Sequence, residues 1–84
     1  MNQQSTVFEK RLEHLARVRA LIMKVVTARP GLTYEEIGKQ ILLIHGFLPT
    51  IGNRIRELRE LGWVKTEEEQ DGRLHVYPKN EALT

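Results

Sequence analysis

The chain holds 84 residues, 40% of them apolar and 29% charged, which describes one small globular domain and leaves too little for two independent cores. With no cysteine, a disulfide framework, a thiolate metal site and a cysteine nucleophile are excluded. The formal charge is +2, but it is uneven: residues 1–31 carry +4, residues 49–61 carry +1 and residues 62–77 carry −2, a balance that permits a polyanionic partner on particular elements.

No apolar run approaches the ~20 residues that a bilayer-spanning helix needs. The start, MNQQST, lacks the basic and apolar character of a secretory leader. A cytoplasmic protein without a membrane partner is the expectation. Residues 1–6 read as a flexible start, 7–78 as the single domain and 79–84 as a flexible tail.

In chain order, Thr6 followed by Glu9 reads as a capping box. Phe8, Leu12, Leu15, Val18, Ile22 and Val25 then recur at helical spacing and predict a helix over 7–28, about 33 Å long. Its second half is apolar on more than one face and should be buried on two sides. Arg29-Pro30-Gly31 ends it. Leu32-Thr33 is a short extended link. Thr33 and Glu36 form a second capping box, opening a helix with Tyr34, Ile37 and Ile41 inward. Gly38 within it marks a place where another helix passes too close for a side chain. Residues 42–48 form a loop or a loose continuation of that helix.

Pro49 or Thr50 starts a third helix over 49–61, with Ile51, Ile55, Leu58 and Leu61 facing the core and Gly62 as its stop. Residues 63–66 and 74–77 alternate in the manner of two short strands, joined through the hairpin signal Asp71-Gly72. The expected fold is therefore mainly α with a small β-hairpin, Tyr34, Trp63 and Tyr77 packing inward.

Three helices followed by a two-stranded wing resemble the winged helix-turn-helix family, over about residues 15–78. The stretches that carry the resemblance are Leu32-Thr33-Tyr34-Glu35-Glu36-Ile37-Gly38 and Thr50-Ile51-Gly52-Asn53-Arg54-Ile55-Arg56-Glu57-Leu58-Arg59-Glu60-Leu61-Gly62-Trp63-Val64. The resemblance implies sequence-specific binding of double-stranded DNA, helix 49–61 lying in the major groove. The connection from Ile37 to Ile51 is about three residues longer than the family's tight turn. Winged helices also serve as protein-binding modules.

The third helix supplies its own physical reason for that partner. Opposite its apolar arc lie Gly52, Asn53, Arg56 and Glu60, with Thr50 and Glu57 beside them and Arg54 and Arg59 on the flanks. Asparagine can pair with adenine and arginine with guanine, each worth ~1–3 kcal/mol of discrimination. Thr50, Asn53 and Arg56 are the candidate base readers, with Gly52 allowing close approach. Arg54 and Arg59 are candidate phosphate contacts. The competing reading is a solvated face laced by Arg54–Glu57 and Arg56–Glu60 pairs.

Glu67-Glu68-Glu69-Gln70-Asp71 puts four negative charges before the hairpin tip, where phosphates would repel it. That run either stays in solvent or engages a basic protein partner. Asp71-Gly72-Arg73 resembles the wing tip of multiple-antibiotic-resistance-type regulators, which implies Arg73 as a minor-groove or phosphate contact; Asp-Gly is also ordinary hairpin punctuation.

The first helix is longer than so small a domain can cover, so Phe8, Leu12 and Leu15 are expected either to form a homodimer interface or to fold back over Trp63 or Phe47. Lys10, Arg11 and Arg17 read as its solvated face. His14, His45 and His75 show neither metal-ligand nor carboxylate-linked spacing, the single serine is Ser5, and the glycines fit no phosphate-binding fingerprint. The sequence reads as a small transcriptional regulator acting by operator occupancy, with no enzymatic activity, metal or cofactor. The alternatives are a protein-interaction module and a replication or recombination accessory protein.

Overall fold

A single apolar stripe runs along the first helix, α1 (Gln3–Ala28), from Phe8 onward, and only its C-terminal half finds a body to cover it. In the computed structural model, which describes residues 3–79 with side chains from Val7 onward, Val18, Ile22 and Val26 are at most 2% exposed. Phe8 lies five whole turns before Val26, on the same line of the helix, yet is 62% exposed, and Leu12 is 48% exposed. The helix begins earlier than 7, running from Gln3 through Thr6, so Thr6 is not its N-cap; the side chain of Thr6 lies outside the described residues. Nor is the second half covered on two whole faces, since Ala20 and Lys24 are exposed.

At the C-terminal end of α1, Gly31 takes φ +92°, and a Cβ there would sit 3.3 Å from the Tyr77 ring. The backbone angle calls for glycine, and an added Cβ would in addition press on the Tyr77 ring. The next two residues, expected as a simple link, form a strand, β1 (Leu32–Thr33). With β2 (Val64–Glu68) and β3 (Leu74–Pro78) it makes an antiparallel sheet in the order β1-β3-β2, Leu32 opposite Val76 and Thr33 opposite His75. The sheet has three strands instead of the two expected, because a two-residue strand shows no alternation that a sequence pattern could reveal.

The second helix, α2 (Tyr34–His45), opens on the capping box that its sequence announces. The Glu36 amide donates to Thr33 Oγ1 at 3.2 Å, and the Thr33 amide donates to Glu36 Oε1 at 2.9 Å. The helix continues through 45, and Gly46 closes it in the left-handed region with its amide on the Leu42 carbonyl. Gly38 is buried: a Cβ there would lie 3.1 Å from Leu48 Cδ1 and 3.4 Å from Ile51 Cγ1. The close neighbours are thus the connection after α2 and the first residue of α3 (Ile51–Glu60).

On α3, Ile55 and Leu58 are fully buried and Ile51 partly so. Leu61 is 56% exposed instead of joining the core: it lies at the edge of the apolar arc, just past the helix end, and Gly62 at φ +78° turns the chain away. Trp63 precedes β2 and is half exposed, contrary to its expected packing, while Tyr34 and Tyr77 are partly buried. The core joins Val18, Ile22 and Val26 of α1 to Ile37 and Ile41 of α2, Ile55 and Leu58 of α3, and Val64 and Val76 of the sheet. Three helices and a small antiparallel sheet thereby present one face of α3, and the β2–β3 turn, to the outside.

Candidate nucleic-acid interface

The outward face of α3 is built by its own inner stripe: with Ile55 and Leu58 fixed in the core, helical geometry sends Asn53, Arg56 and Glu60 to the opposite side. All are exposed, as are Thr50, Gly52 and Arg59. Thr50 caps the helix in an extended conformation without using its hydroxyl for a capping bond. A Cβ at Gly52 would have no heavy atom within 4 Å. Among the described residues, no hydrogen bond or ion pair engages the side chains of Asn53, Arg56 or Arg59, and the Arg56–Glu60 pair allowed by spacing is not formed.

Arg54 behaves differently from the flank position its spacing suggests. Its side chain is only 13% exposed, and Nη2 lies 2.8 Å from Glu57 Oε2. The other oxygen of Glu57 accepts from Arg19 Nη1 of α1 at 2.9 Å. Burial pushes the Glu57 carboxyl up, but the hydrogen bonds from Arg19 and Arg54 outweigh it and hold the group below the usual carboxylate range. The buried Arg54 Nε has no partner. Glu57 is thus committed to the two inner guanidinium groups, and Arg56 and Arg59 keep their charge facing solvent.

The hairpin tip is organised by a contact that sequence spacing did not suggest. His75 Nε2 sits 2.8 Å from Asp71 Oδ2, and His75 Nδ1 sits 2.7 Å from the Gly31 carbonyl. The expectation that no histidine has a carboxylate-linked spacing is therefore corrected: Asp71 and His75, four residues apart, meet because the turn folds the chain back on itself. The Gly31 carbonyl and then Asp71 raise the pKa of His75 above its ordinary value. The Arg73 amide and then His75 lower that of Asp71. The Tyr77 hydroxyl donates to Glu69, which pushes its pKa up to about 12. Arg73 is exposed, its Nη1 3.8 Å from Glu35 Oε2 of α2. Among the described residues there is no cluster of three or more His, Asp or Glu side chains that could hold a metal ion.

On α1, Phe8 and Leu12 are exposed and Leu15 is half-buried. The helix is continuous, so its first turns do not fold back over Trp63; the His14 ring lies 6.0 Å from that of Phe47.

Comparison with family models, with curated proteins and with solved structures returned no match. Among the described residues, no helix is long and apolar enough to cross a membrane.

Proposed function

We propose that the chain is a winged helix-turn-helix protein that binds duplex DNA with α3 in the major groove, as a cytoplasmic homodimer joined through α1, and regulates transcription by occupying an operator. Thr50, Asn53 and Arg56 read base edges, and Gly52 lets the helix backbone approach the groove. Arg59 contacts phosphate, and Arg73 reaches phosphate or the minor groove from the wing. Arg54 has a different role from the one its position suggested: with Arg19 it is held by Glu57 inside the fold.

The observation that carries this reading is the unpaired state of the Arg56 and Arg59 side chains on a helix that also bears Glu57 and Glu60. A merely solvated helix gains ~0.2–0.5 kcal/mol per charge pair by pairing such residues. Here the pairing is spent inward, and the exposed side of the helix also carries Asn53 and the open surface at Gly52. Selection of duplexes from a random pool tests it. An enriched palindromic motif supports both DNA binding and two-fold assembly; no enrichment at low salt contradicts the reading.

A second reading, a protein-interaction module on the same scaffold, is favoured by a different observation. Near the end of α2, Leu43 is 80% exposed and Ile44 64%, and in the connection after it Leu48 is 65% exposed, on the same chain as the acidic run 67–71. A defined stoichiometric protein complex, together with no retardation of any duplex at low salt, favours it. A replication or recombination accessory protein would use the same α3 surface.

A further inference from the structure

His75 lies on β3 opposite Thr33 of β1 and Glu67 of β2, with its side chain 13% exposed. Both ring nitrogens face groups that can only accept: the Gly31 carbonyl at 2.7 Å and the ionised Asp71 carboxylate at 2.8 Å. A neutral imidazole has one N–H and satisfies one of these partners; the imidazolium donates to both. We infer that doubly protonated His75 is a latch that ties the turn 69–73 to the corner between α1 and β1, and that loss of its proton releases the turn.

The surroundings favour the cation. From the hairpin, Asp71 and Glu69 (3.8 Å from Nδ1) face the ring, and Glu67 is its cross-strand neighbour. From α2, the Glu36 carboxylate acts on it as well. Arg73 is the opposing positive charge, and the Tyr77 hydroxyl is engaged with Glu69. A pKa raised above 6.5 places the latch's stabilisation fully below that value and removes it as pH rises through the higher, folded-state value. The consequence is local. Asp71 Oδ1 also accepts the Arg73 amide at 3.0 Å, so the carboxylate that His75 holds joins the Glu69–Arg73 and Gly72–Glu69 backbone bonds in shaping the turn that presents Arg73. The latch acts on the hairpin whether or not Arg73 meets DNA, and it stands independently of the function proposed above.

Nuclear magnetic resonance of the whole chain across pH tests it directly. The His75 ring nitrogens should report the doubly protonated form up to a midpoint above about 6.5, and the amides of residues 71–73 should shift with the same midpoint. Asp71→Asn should lower that midpoint and uncouple the turn from it. His75→Gln should abolish the pH step in the turn amides. If His75 in the wild-type chain titrates at or below the ordinary imidazole value, or if the amides of 71–73 do not follow it, the latch is refuted. Duplex affinity measured over the same range bears only on Arg73: an unchanged affinity beside a coupled titration removes the wing from the DNA contact and leaves the latch standing.

Discussion

Arg54 Nη2 and Glu57 Oε2 lie 2.8 Å apart on the side of α3 turned toward α1, where Arg19 completes the arrangement. Removing the carboxylate leaves a guanidinium that is largely withdrawn from water without its partner. Glu57→Ala should therefore destabilise the fold by about 1–3 kcal/mol, read as a lower urea midpoint at neutral pH. Glu60→Ala, on the exposed face, should change it by less than about 0.5 kcal/mol.

The same carboxylate and Glu36 set an acid limit. The Thr33 amide and hydroxyl hold the Glu36 pKa down; at Glu57 burial raises it, but the two arginines prevail. Lowered carboxyl pKa values contribute stability above the ordinary value of 4.5 and lose it as pH falls through the folded-state values. Thermal unfolding should show a melting temperature that drops on acidification below about 4.5. Glu36→Gln and Glu57→Gln should each flatten that drop while starting from a lower melting temperature at pH 7.

What could be read from the sequence follows the range of the interaction. The Thr33–Glu36 box spans three residues, so both bonds were legible before any fold was known, as were the inward positions of Ile37, Ile41, Ile55 and Leu58. The outward placing of Asn53 and Arg56 follows from the same periodicity. Arg54 sits on the border of the helical wheel; its pairing with Glu57 three residues on was legible from spacing, but the second arginine on that carboxylate, Arg19, lies on another helix 38 positions before Glu57 and was not. The pairing of β1 with β3 joins Leu32 to Val76, and two residues are too few to announce a strand. Asp71 and His75 are near in sequence, but only the turn geometry brings the ring onto the carboxylate. Leu61 fitted the apolar spacing and still emerged exposed, because the helix ends one residue before it.

Gly52 separates stability from function. It is helical, exposed and has nothing within 4 Å of the position a Cβ would take. Gly52→Ala should be neutral or stabilising by up to about 1 kcal/mol. If the α3 backbone lies close against a groove, the added methyl should nevertheless weaken duplex binding. Chemical denaturation and a duplex titration on the same preparation check both halves.

Phe8 and Leu12 continue, uncovered, the stripe whose other end is the core. Phe8→Ala and Leu12→Asp should leave the monomer's urea midpoint nearly unchanged while shifting the sedimentation profile from dimer to monomer. Burial of each large side chain in a partner contributes ~1.5–3 kcal/mol, enough for one such change to raise the dimer dissociation constant by tenfold or more. A wild-type chain that is monomeric at high concentration contradicts this interface.

The central claim is that the outward face of α3 meets nucleobases. The most direct measurement is the affinity of wild type and Arg56→Ala for the selected duplex and for a scrambled one, across a range of salt concentrations. Wild-type binding should fall steeply with salt. Arg56→Ala should lose about tenfold or more for the selected duplex, with little change for the scrambled one. Equal affinity and equal preference in the two proteins would contradict it.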